Sequence, residues 1–197
     1  PLLQIGKHGE VKCRARHDEH LGQYTMEPIT FSAAKLMESQ MALNGMQVLA
    51  AHLRLLPDRD PHPALFDQLV AIIDHFDEPL LAIEFMARFE LRLLEELGFG
   101  LDLSECAATG ARQELVYVSP KSGRAVSRKA GEPWAEKLLA LPPFLEDRPG
   151  CGLDALSAEA AWKLAAFFLE RDVWLPRGLA PPEARAAFQL HARRLIR

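Results

Sequence analysis

The chain has 197 residues, 49% of them apolar, enough to bury one good-sized core. No apolar run reaches the ~18 to 20 residues of a membrane span, and no charged leader precedes an apolar segment, so the expectation is a soluble cytoplasmic protein. The net charge of -4 argues mildly against wholesale phosphate neutralisation, and the three cysteines Cys13, Cys106 and Cys151 show no CxxC spacing, so neither a disulfide framework nor a thiolate metal site is suggested.

The chain starts at Pro1 with Leu2, Leu3 and Ile5 already apolar, as if inside an element, and the expectation is that an N-terminal segment is missing. Residues 11–18 and 23–30 alternate in the β manner across a turn at Glu19 to Gly22. In the first strand Val11, Cys13 and Ala15 would face inward and Lys12, Arg14 and Arg16 outward. Two strands alone are barely stable, so this pair must lean on further structure.

From Ser32, a plausible N-cap, the period becomes helical, with Leu36, Leu43, Ala50 and Leu53 on one face until Pro57. Helices follow at 64–76 and 79–97, the latter with Pro79 in its first turn and Gly98 just past its end. That third helix is the most apolar and is expected at the centre. Its polar strip pairs Glu84 with Arg88 and Arg92 with Glu96 at i,i+4 spacing. After a loop at 101–110, residues 114–127 read as a hairpin: Leu115 to Val118, a turn at Pro120 to Gly123, and a return at Ala125 and Val126. Helices are expected again at about 132–140, at 157–172 starting near Ser157, and at 182–196.

Catalytic chemistry is hard to find. The seven histidines are scattered, and the His17, Asp18, Glu19, His20 run sits on a turn where neighbours point apart. No phosphate-binding glycine loop, HExxH or GxSxG occurs. The paired carboxylates Glu95/Glu96 and Asp58/Asp60 occupy positions that read as exposed. No catalytic residue, metal or cofactor is expected. Charge is local instead: residues 112–129 hold Arg112, Lys121, Arg124, Arg128 and Lys129 against Glu114, and the last thirteen residues hold Arg185, Arg193, Arg194 and Arg197 without an acid.

The segment from Phe85 through Gly131 resembles the RecO family. Three linked motifs carry the likeness: FELRLLEELG at Phe89 to Gly98, LDLSECAATG at Leu101 to Gly110, and YVSPKSGRAV at Tyr117 to Val126. HLGQYTMEPI resembles the last strands of the family's N-terminal OB domain, and the PFL at 143–145 a recurring loop. The resemblance implies a mainly α fold: a helical C-terminal domain at 32–197 with a small β-hairpin insertion at about 114–127, preceded at 1–31 by the last strands of an incomplete OB-fold barrel. In some members the hairpin carries four zinc-binding cysteines. Here Cys106 matches the first, Thr109 stands at the second and the hairpin side offers only Ser127, so no metal is expected, and packing of Leu115, Tyr117 and Val126 should hold the hairpin.

The implied activity is non-enzymatic mediation of DNA repair, the response to DNA damage, and homologous recombination. It comprises binding single- and double-stranded DNA, annealing strands, and loading RecA with RecR, RecF and single-stranded-DNA-binding protein, in the cytoplasm and on the nucleoid. Lys12, Arg14 and Arg16, then Arg124, Arg128 and Lys129, are the candidate DNA contacts. Arg88, Arg92, Arg193 and Arg194 are candidates for holding the acidic C-terminal tail of single-stranded-DNA-binding protein. A helical interaction scaffold without DNA affinity is the alternative, favoured by the acidic net charge; a hydrolase is disfavoured by the missing motifs.

Overall fold

The computed structural model describes residues 7–14, 23–31, 36, 39–146 and 152–196. Strands β1 (Lys7–Arg14) and β2 (Gln23–Phe31) pair antiparallel, with Glu10 opposite Glu27 and Arg14 opposite Gln23. The register shifts between His8 and Gly9, which face Thr30 and Pro28; the proline has no N–H to give the ladder, and a bulge takes up the irregularity. Of the strand expected at 11–18, residues 11–14 lie in β1, which starts earlier, at Lys7, and residues 15–18 lie outside the described residues. The inward face expected for Val11 and Cys13 is not formed among the described residues: Val11 is 56% exposed and Cys13 is exposed as well, and no described element covers either face of Glu10–Arg14.

Helix α1 (Gln40–Leu53) is capped by the Ser39 hydroxyl, which accepts from the Ala42 N–H at 3.3 Å, while the expected cap Ser32 lies outside the described residues. Helices α2 (Pro63–Asp74) and α3 (Pro79–Glu96) both start on a proline, whose missing N–H costs nothing in a first turn. Gly98 leaves α3 at φ +86°, a conformation that favours glycine. α3 buries Ile83, Met86, Phe89, Leu93 and Leu94 and packs against α2 and both C-terminal helices, which makes it the central helix.

The hairpin forms where the sequence placed it, as β3 (Leu115–Val118) and β4 (Ala125–Ser127), with Gly123 at φ +69° in the turn. The helix expected at 132–140 is not there. One helical turn (Arg128–Gly131) leads into a 3-10 segment (Glu132–Lys137), and the chain then extends as β5 (Leu139–Ala140), making a sheet of order β4-β3-β5. Two features account for this. Pro133 suits a short first turn, and Gly131 lies so close to the Tyr117 ring that a Cβ would sit 2.5 Å from it, bringing the chain onto the free edge of β3.

A second 3-10 turn (Pro143–Glu146) precedes α4 (Ala155–Phe168). α4 opens on a capping box in which Asp154 accepts from the Ser157 N–H at 2.7 Å and the Ser157 hydroxyl accepts from the Asp154 N–H at 2.9 Å, so Ser157 is the third residue of the cap and not its start. The helix continues as a π-type segment (Leu169–Trp174), and α5 (Glu183–Leu195) returns against α1. One apolar cluster joins helices and sheet, with Leu49, Phe89, Leu164, Phe168 and Phe188 among its sealed members and Leu115, Val118 and Ala125 contributed by the sheet.

Candidate nucleic-acid interface

The strongest electrostatics are internal. Arg185 of α5, 9% exposed, grips Glu90 of α3 with two bonds of 2.7 Å and donates a third to the Trp162 carbonyl at 3.1 Å. Burial alone would push the Glu90 carboxyl up, but the Arg185 guanidinium holds it below the usual range. His52 stacks between Phe89 and Trp174, with its Nε2 3.9 Å from Glu90. Burial pushes its pKa down against the pull of Glu90, so at neutral pH the ring is uncharged. Sealed from solvent, this cluster ties α1, α3 and α5 together. Sequence reading missed it, although Glu90 falls on the apolar stripe that Ile83, Met86, Leu93 and Leu94 define, and that placement was its signal.

The loop before the hairpin is built around Cys106, 1% exposed. The Ser127 N–H donates to its sulfur at 3.2 Å, the Cys106 N–H donates to Ala111 O at 2.7 Å, and the Ala107 N–H donates to Ala125 O at 2.8 Å. Burial pushes the thiol up, yet donation from the Ser127 and Thr109 hydroxyls and from the Ser127 and Ala108 N–H groups brings it down to about 6. The residues do not fit a structural zinc: one sulfur and two hydroxyls make no tetrahedral set, and no group of three or more His, Cys, Asp or Glu is placed to hold a metal among the described residues.

The cations proposed from sequence fall into two kinds. Lys12 sits 3.5 Å from Glu27 and 3.9 Å from Glu10, and Arg124 is held by Asp102 at 3.1 Å and Glu105 at 3.6 Å. Arg14, Arg128 and Lys129 are exposed and pair with no acid among the described residues, and Arg16 lies outside those residues. The first strand and the post-hairpin turn therefore present open positive charge, whereas the hairpin arginine is largely neutralised.

The four arginines considered for an acidic tail are not brought together. Arg88 binds Glu84 at 2.9 Å and the Phe144 carbonyl, and Arg92 binds Glu95 at 2.9 Å and Glu96 at 2.7 Å, which confirms the i,i+4 pairs. Both line a cleft of about 310 Å³ whose apolar walls are Leu91, Leu101, Leu103 and Leu145. Gln68 also lines it and carries a buried side-chain oxygen with no hydrogen-bond partner. No residue of α5 reaches that cleft: Arg193 turns to Glu159 and lies over the Trp162 ring at 5.5 Å, and Arg194 is exposed.

Residues 48–173 match the family model described as "Recombination protein O C terminal". The chain is 56% identical over 191 residues to the DNA repair protein RecO of Brucella abortus (strain 2308), covering 95% of this chain and 76% of that protein. It is 57% identical over 188 residues to the DNA repair protein RecO of Rhizobium johnstonii, covering 95% of this chain and 73% of the relative. No solved structure matches the chain. No described helix is long and apolar enough to cross a membrane.

Proposed function

The chain belongs to the RecO family of DNA repair proteins, and from that premise we propose that it is a non-enzymatic mediator of DNA repair and homologous recombination that binds DNA through this part of the molecule. The observation that carries the reading is the pair Arg128 and Lys129, solvent-exposed and without an acid among the described residues, on a turn fixed to the sheet. Charge of this kind binds the phosphate backbone without reading sequence, as annealing of complementary strands requires. Arg14, on an exposed strand, adds to it, and β1 and β2 are read as part of an OB-type barrel, a fold that binds strands through a basic groove.

RecR, RecF and RecA are the proposed pathway partners, and the acidic tail of single-stranded-DNA-binding protein is assigned to the cleft beside Arg88 and Arg92, with the Gln68 oxygen as an acceptor for its backbone. A second reading, a helical scaffold without DNA affinity, is favoured by one fact: Lys12, Arg88, Arg92, Arg124 and Arg193 already hold acids of this chain.

Fluorescence anisotropy of a labelled single-stranded oligonucleotide, titrated at a series of salt concentrations, separates the two. Binding should weaken linearly in log salt, and replacing Arg128 and Lys129 together by alanine should flatten the slope by roughly 1.4, about 0.7 per lost phosphate contact on a single strand. No binding at low salt, with the acidic tail peptide still bound, would put the scaffold reading first.

A further inference from the structure

The three tryptophans divide cleanly. Trp162 and Trp174 are 3% and 2% exposed in the core, whereas Trp134 is 59% exposed. An indole is seldom left in water, because its large apolar face gains more than almost any other from being covered. Trp134 also does not sit on a loose loop. Its 3-10 segment is anchored upstream by Gly131 against the Tyr117 ring and downstream by the pairing of Leu139 and Ala140 with Val118 and Tyr117.

The geometry of that segment sorts its charges. At three residues per turn, positions i and i+3 eclipse, so Lys137 shares the face of Trp134, while Glu136 follows Pro133 and Glu132 goes with Ala135. The Lys137 ammonium accordingly lies 5.5 Å from the centre of the indole ring. Arg128 and Lys129 stand on the α-helical turn that feeds the segment, and Lys129 precedes Trp134 by five residues, about 8 to 9 Å along the chain axis at the α rise up to Gly131 and the 3-10 rise beyond it. A protein surface docking on the indole would need an apolar surround, but its exposed neighbours are charged apart from Pro133.

We infer that Trp134 is a stacking platform for an unpaired base of single-stranded nucleic acid, with Lys137, Arg128 and Lys129 holding the flanking phosphates. This rests on the DNA-binding reading above and adds to it the residue that touches a base. A base in a duplex has both faces covered by its neighbours, so the platform selects single strands, and it tolerates any sequence because every base has a π face.

The test is titration of this chain with an oligothymidylate, read both by anisotropy of a labelled strand and by tryptophan emission, alongside Trp134→Ala and Trp134→Phe. Single-strand affinity should fall roughly five- to a hundredfold in Trp134→Ala and recover most of the way in Trp134→Phe. The salt slope should stay as in the parent, because no phosphate contact is lost, and duplex affinity should be unchanged. Emission should be quenched by the oligonucleotide in the parent and not in Trp134→Phe. If the parent binds in a salt-dependent way and Trp134→Ala binds equally well, the platform is wrong and the DNA-binding reading stands. If the parent binds no oligonucleotide, both fall. If Trp134→Ala leaves DNA affinity intact and dissolves a dimer by light scattering, a second copy covers the indole and the platform is overturned.

Discussion

Two antiparallel hairpins meet opposite fates in this chain. In β3–β4 the residues Leu115, Val118, Ala125, Val126 and Ser127 are all buried, and the turn glycine 123 lies against Leu101 and Phe168. In β1–β2 the run Glu10–Arg14 is exposed on both faces, and so are its partners Gln23 to Thr25. β1 and β2 alternate apolar and polar residues, while β3 is an unbroken apolar run (LVYV), so alternation alone does not give a strand an inside. What differs is the neighbour: β3 is flanked by β5 and backed by the helical core, while among the described residues β1 and β2 pair with each other alone. The buried hairpin holds the shape and positions a turn, and on the proposed function the exposed one offers its side chains to DNA.

The largest effect expected from that contrast is on stability. Leu115→Ala removes a side chain 3% exposed in the sheet's packing and should lower unfolding free energy by about 2–5 kcal/mol in a denaturant titration. Val11→Ala, at 56% exposed, should change it by less than about 0.5 kcal/mol. Equal losses at both sites would mean that a further layer covers β1 in solution, and the two hairpins would then be alike.

Cys106 sharpens the same comparison through pH. Cys106→Ala takes away the acceptor of the buried Ser127 N–H and should cost about 1–3 kcal/mol, whereas Cys13→Ala on the exposed strand should be close to neutral. The thiol ionises near 6 in the folded chain and near 8.5 in an unfolded one. Below 6 both states hold the proton and the thiolate contributes nothing. Between about 6 and 8.5 only the unfolded state holds it, so the stability gap between parent and Cys106→Ala should widen as pH rises and level off above 8.5. Thermal melts of both proteins across that range measure it, and a gap that narrows with rising pH would show that the sulfur stays protonated in its nest of donors.

How much of this was legible in the sequence follows from how local each feature is. The starts of α2 and α3 are written in Pro63 and Pro79, the end of α3 in Gly98, and the turn of the hairpin in Gly123, all of them constraints a residue imposes on its own backbone. β5 was read as helix because a two-residue strand has no periodicity of its own and exists only through its partners Tyr117 and Val118. The Glu90–Arg185 clamp joins residues 95 apart, and charges at that distance cannot be matched by inspection. For the candidate site the residue types were visible but their availability was not: Arg128 and Arg124 look alike in sequence, and only the fold shows that one is open and the other engaged. Trp134 went unnoticed because its significance lies in its exposure, and a tryptophan in a sequence reads by default as core.

The smallest expected effect is therefore a pointed one. Arg124 lies on the turn of the buried hairpin, half-exposed, with Asp102 and Glu105 on its guanidinium. Exposed ion pairs contribute about 0–1 kcal/mol, so Arg124→Ala should move stability little, and because its charge is already balanced it should change oligonucleotide affinity less than about twofold. Arg128→Ala, a few residues further on, should weaken binding and flatten the salt slope by about 0.7. Measured side by side at one salt concentration, the two variants ask whether balanced charge counts as a phosphate contact. If Arg124→Ala weakens binding as much as Arg128→Ala, the arginine leaves its acids when DNA arrives. The buried hairpin would then lie in the interface itself, and the division between a hairpin that supports and one that binds would no longer hold.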